Sequence, residues 1–147
     1  VIPFWPIVAP RLLKQLSVVI LIGAMTAWPF IFSREPMNET DLRHEGTHAC
    51  QQFECSVLQV LALLIGAWAW TPWLLLGIPV AFAVGGPLFL VLYYGSYAVN
   101  LLRLDGVAAY EAIPFEQEAY AHEDDFTYLK HRIPVWSWLC YFIPWRR

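Results

Sequence analysis

The chain alternates between long apolar stretches and two polar islands. Val1 to Pro10 is apolar but broken by Pro3, Pro6 and Pro10, which predicts an interfacial segment through about residue 14 rather than a span or a cleavable signal. Ser17 to Phe32 carries no charge. As a helix it would reach about 24 Å, and Lys14 and Arg34 can extend outward to complete a crossing. It is expected to be the first transmembrane helix. Ser33 to Cys55 is the first polar island. Asn38 or Thr40 can cap a helix there, and nothing interrupts that helix before Pro72. The helix is therefore expected to run from polar sequence directly into apolar sequence.

Ser56 to Leu102 is uncharged and long enough for two crossings. Pro72, Gly77, Pro79 and Gly85-Gly86-Pro87 are the candidate turns. Two crossings return the chain to the face it left, so the polar island and everything after Leu104 fall on one side. Asp105 to Arg132 is the second island. Pro114 suits a helix start, and acids early with Lys130, His131 and Arg132 late suit the helix dipole. Trp136, Trp138, Tyr141, Phe142 and Trp145, followed by Arg146 and Arg147, predict an aromatic anchor in the membrane interface. The expected fold is all-α. It is a single integral membrane domain over 1–147, with about three transmembrane helices, a polar helix pair at one face and a membrane-surface segment over 105–147.

Composition strengthens the membrane reading. Of 147 residues, 59% are hydrophobic and only 14% charged, well off the balance of soluble domains. The net charge of −3 comes with no basic stretch, which argues against a nucleic-acid partner. Of the nine Lys and Arg residues, only Arg11 and Lys14 precede the first expected span. The positive-inside tendency then puts both islands on the cytoplasmic face. Cys50, Cys55 and Cys140 form no CxxC pair and no even disulfide set, and read as small apolar residues.

The first island holds His44-Glu45-Gly46-Thr47-His48. Histidines four apart on a helix project from one face, and both can reach one zinc ion. Glu45 beside them is placed to act as general base. A hydrolytic zinc site needs a third protein ligand and one open position. The candidates on the same side are Glu116, Glu118, His122, Glu123, Asp124 and Asp125. Asp41, Glu123 or Asp124 could hold a ligand histidine through its other nitrogen. Gln51 and Gln52 bind substrate or satisfy backbone groups where the helix enters lipid. His122 is a possible further ligand or a transition-state donor, and His131 is an interfacial residue.

The Glu118-Ala119 pair resembles the second motif of gluzincin metallopeptidases, in which a Glu before Ala on a downstream helix completes a His-His-Glu zinc site. That resemblance implies Glu118 as third ligand, with Glu116 in reserve. The wider pattern adds Gln51-Gln52, Phe115-Glu116-Gln117-Glu118-Ala119-Tyr120-Ala121 and Tyr128-Leu129-Lys130. Over about residues 43–132 it resembles a group of small bacterial membrane proteins, uncharacterised as to substrate, which implies the bacterial inner membrane. No segment reads as an edge strand or a soluble lobe that would hold an extended peptide.

Two functions follow as expectations. One is a membrane-embedded zinc metallopeptidase cutting a peptide near the cytoplasmic face. The other is a non-catalytic accessory subunit of a larger membrane complex, for example an energy-transducing one, in which the metal ties the islands together. A di-iron oxidase fits less well. Glu45-x-x-His48 matches that pattern once, but Ala119 stands where a second copy needs Glu.

Overall fold

The computed structural model describes residues 3–16, 24–79 and 86–143. The described chain is mostly helical but not all-α. Three short strands form a sheet of order β1-β3-β2: β1 (Trp5–Val8), β2 (Ala24–Ala27) and β3 (Phe30–Ser33). β1 runs parallel to β3, and β2 antiparallel to it. Helix α1 (Pro10–Leu16) links the first two strands' neighbourhoods, and its Leu13 is fully buried.

This sheet replaces the second half of the expected first span; 17–23 lie outside the described residues. Pro29 is the physical reason. Proline lacks the N–H a helix needs, and it disfavours helical backbone at the residue before it. Trp28-Pro29 therefore forms the turn of a hairpin, through a cis bond. Phe30, Ile31, Phe32 and Ser33 then alternate, with Ile31 and Ser33 buried. The N-terminal segment expected in the interface supplies β1, whose residues are all exposed.

Helix α2 (Glu39–Ala69) is the axis of the molecule, and its 31 residues extend about 46 Å. Asn38 caps it, its Oδ1 accepting from Asp41 N at 2.8 Å. Glu39 and Asp41 in the first turn suit the positive end of the helix dipole. Burial along α2 runs opposite to hydropathy. Its buried residues all lie between Gly46 and Ser56, the polar and small-residue part. Leu61, Leu64, Ile65 and Trp68, at helical spacing on the apolar part, are exposed. Among the described residues, α2 alone is long and apolar enough to cross a membrane.

A 3-10 turn (Pro72–Gly77) follows and folds back on α2; a Cβ on Gly77 would lie 3.2 Å from Leu63 Cδ1. Helix α3 (Pro87–Asn100) begins beside Gln59, whose Oε1 accepts from Leu88 N at 3.1 Å. It returns toward the polar half of α2, bringing the Tyr93 ring to within 6.4 Å of the His48 ring. At 14 residues it spans about 21 Å, short of a full crossing. The second island is not one helix but several: α4 (Gly106–Glu111), α5 (Pro114–His122) and α6 (Tyr128–His131). Pro114 opens α5 as expected.

Helix α7 (Trp136–Leu139) and a 3-10 turn (Cys140–Phe142) follow. They correct the aromatic-anchor expectation in part. Trp138 is buried, its ring 5.2 Å from that of Phe115, because it closes the core formed by Cys55, Phe89, Ile113 and Phe115. Trp136 is exposed, and Trp145, Arg146 and Arg147 lie outside the described residues.

Candidate metal centre

His44 and His48 lie one helical turn apart on α2, with ring centroids 5.0 Å apart. α5 packs across this face. Its Glu116 reaches both rings: His44 Nε2 is 3.3 Å from Oε2, and His48 Nε2 is 3.2 Å from Oε1. One ligand atom from each of the three residues falls within 4.8 Å of the others. Two imidazole nitrogens and a carboxylate oxygen make a recognised donor set for a divalent metal. Glu116 Oε1 also accepts from the Tyr93 hydroxyl. Oε2 is buried and makes no hydrogen bond, the situation a bound cation would relieve. Burial by itself would push the Glu116 carboxyl up. The adjoining His48 charge, the close approach of both histidine rings and the Tyr93 bond outweigh it, holding the group well below the usual carboxylate range. The His44, His48 and Glu116 group is thus able to hold a metal ion.

Both rings are also held from behind. His44 Nδ1 lies 2.9 Å from Glu123 Oε2. An ionised carboxylate only accepts, so Nδ1 donates, and Nε2, on the Glu116 side, is the nitrogen left for a metal. Arg43 fixes this acid by donating from Nε to the Glu123 carbonyl at 2.6 Å, while its guanidinium lies 4.0 Å from the Phe126 ring centroid. His48 Nδ1 lies 2.8 Å from Gln51 Oε1.

Glu118, expected as third ligand, faces elsewhere. Two residues on a helix differ by about 200° in direction, so Glu116 and Glu118 point to opposite sides of α5. Glu118 is fully buried. Its Oε1 accepts from Arg132 Nη2 at 2.7 Å, Arg132 Nε at 3.0 Å and Tyr128 OH at 2.7 Å. Arg132 also grips Glu54 with Nη1. Glu54 Oε2 accepts from Val135 N and Trp138 Nε1, both at 2.9 Å. Burial works against the Arg132 charge, but Glu118 and Glu54 more than offset it and keep the guanidinium protonated. The reserve candidate, Glu116, is the carboxylate that stands with the two histidines.

Glu45 sits beside the cluster. Thr26 Oγ1 on β2 donates to its Oε2 at 2.5 Å. His44, Glu45, Tyr120 and Glu123 line a cleft of about 600 Å³, with Arg34 and Glu35 also in its wall. Glu116 and Tyr120 share one stripe of α5, at i and i+4, and Glu123, the residue that caps its C-terminus, continues it. Gln52 does not face the cleft. Its amide closes the edge of β2, donating to Thr26 O at 2.7 Å and accepting from Trp28 N at 2.8 Å. A sheet edge therefore does stand beside the motif, contrary to the sequence expectation.

His122 is not in the cluster. Its ring stacks on Tyr128 at 3.7 Å, in the wall of a separate cleft of about 1100 Å³. His131 is exposed, and Asp41 lines the metal-side cleft. Cys50 and Cys55 are buried free thiols; Cys140 is free and half-buried. Sequence reasoning did not anticipate Tyr93, Glu54 or Arg132 as neighbours of the site. One signal for Glu54 was present: a carboxylate where a helix turns apolar needs a buried partner.

Comparison with protein-family models, with curated proteins and with solved structures finds no match to this chain.

Proposed function

We propose that the chain is a zinc-dependent hydrolase, in its narrower form a peptidase, working at a membrane surface. His44, His48 and Glu116 are the ligands, and Glu45 is the general base. The carrying observation is the convergence of one ligand atom each from His44, His48 and the buried Glu116 within 4.8 Å, next to a cleft that Glu45 also lines. Zinc held there supplies Lewis acidity to a scissile carbonyl and lowers the pKa of water. Glu45 takes the proton from the attacking water and passes it to the leaving amine. Thr26, bonded to Glu45 Oε2, orients that carboxylate. Tyr120 bounds the cleft on the other side and shapes what enters it.

Exposed apolar positions on α2 and α3 (Ile65, Trp68, Val91, Val99) support a lipid environment for this half of the molecule. The excess of Lys and Arg on the polar side supports a cytoplasmic orientation of that side.

The deciding experiment is elemental mass spectrometry on protein purified without chelator or added metal. About one zinc per chain sustains the reading; a chain free of zinc, iron and manganese that also fails to take up zinc in titration overturns it. For catalysis, Glu45→Gln should retain zinc while hydrolysis of a responsive peptide falls by roughly 10²–10⁴-fold. The second reading, an accessory subunit with the metal as a staple, draws on the same exposed apolar faces. It predicts that Glu45→Gln changes nothing and that defined membrane subunits co-purify in fixed ratio.

A further inference from the structure

We infer that Gln51 is a positioning residue that sets the tautomer of His48, and that Glu118, Arg132 and Glu54 lock Gln51 in the one orientation that does so. The inference rests on the metal-centre reading above and deepens it.

The two ends of an amide side chain are similar in shape, so its orientation must be argued from its partners. For Gln51 they leave one solution. Its Nε2 lies 2.9 Å from Glu118 Oε2 and 3.0 Å from the Phe115 carbonyl oxygen. A carbonyl only accepts. Glu118, gripped by Arg132 through two nitrogens, is an ionised carboxylate and also only accepts. Both N–H groups of the amide are thereby used. Turned over, the amide would set its oxygen against two acceptors, and Gln51 is fully buried, so no water could intervene.

The atom facing His48 Nδ1 at 2.8 Å is therefore Oε1, which cannot donate. Nδ1 must carry a proton whether or not a metal is present. Nε2, aimed at Glu116, is then the single nitrogen of His48 that can bind one.

The support for Gln51 extends further. Arg132 joins Glu118 to Glu54, and Glu54 is fixed in turn by Val135 N and Trp138 Nε1. Val135 has φ of 64°, a backbone conformation that β-branched residues rarely adopt, and its N–H is aimed at Glu54. A continuous polar line thus runs from the C-terminal helix to the metal-facing ring. His44 is held differently, by a carboxylate, Glu123, at the wall of the open cleft. A neutral amide at 51 has its own logic. Glu45 and Glu116 already act on His48, and Glu118 lies against position 51 itself, so a further carboxylate there would repel them.

The test uses the full chain in detergent. Two-bond ¹H–¹⁵N spectra of ¹⁵N-histidine protein should show a proton on His48 Nδ1 in the metal-free chain, where Nε2 faces the Glu116 carboxylate. Zinc addition should shift Nε2 and leave the Nδ1 proton in place. A bare Nδ1, or zinc on Nδ1, overturns the inference. In Gln51→Met and Glu118→Gln, the zinc Kd should rise roughly 10–100-fold, with helical circular dichroism and the His44 ring signals kept. Folded variants that bind zinc as the parent does also overturn it. Should the parent chain take up no zinc, the metal reading falls, and the tautomer in the metal-free spectrum still decides on Gln51.

Discussion

Glu116 and Glu118 sit on one short helix, and their surroundings assign them different work. Glu116 meets two imidazoles and a tyrosine hydroxyl, while Glu118 meets a guanidinium, a tyrosine and an amide. Glu116→Ala should bring zinc content in purified protein to background with the fold kept, because it removes one of the three ligands. The pH response has a defined sign. The Glu116 carboxyl lies below its ordinary range, so its charge and the stability it adds persist above that range and are lost only as pH falls through the depressed value. Zinc binding should therefore weaken on acidification through histidine protonation well before Glu116 titrates. A competition titration with a chromophoric chelator across pH would show it; affinity flat from neutral to mildly acid pH would contradict it. The histidine pair was legible in the sequence because i, i+4 spacing is local. The choice of carboxylate was not. It depends on the rotational phase of α5, which Phe115 sets by entering the core with Phe89 and Trp138.

At the scale of elements, α2 explains both the success and the failure of the sequence reading. Its start after Asn38 and its uninterrupted run to Ala69 were readable from a cap and a missing breaker. What hydropathy could not reveal is that the polar part is the buried part. The cause is Arg132, which arrives from far along the chain to pair Glu54 and Glu118. Arg132→Met would leave two buried carboxylates unpaired, and such losses cost about 3–5 kcal/mol. Thermal unfolding of the detergent-solubilised variant should shift down accordingly, and an unchanged midpoint would show that the cluster is solvated. The sheet was missed for a simpler reason. An uncharged run suggests a helix, but Pro29 lies within it, and proline's local geometry outweighs hydropathy.

For the molecule as a whole, the apolar ends of α2 and α3 face outward. Trp68, Trp70 and Trp73 are 91%, 89% and 76% exposed at the end remote from the metal cluster. Tryptophans so placed suit a bilayer environment. Reconstituted in vesicles, the chain should show tryptophan emission quenched by spin-labelled acyl chains, and changing these three residues together to Phe should remove a large share of that quenching. Quenching equal to that of a soluble control would place this end in water or against protein. The arrangement also orders events during biosynthesis. His44 and His48 leave the ribosome before the apolar hairpin, and Glu116 leaves after it. A nascent chain thus has only part of the His44, His48 and Glu116 group until α5 has closed over α2, so a metal ion that this group could hold would be captured only after that closure.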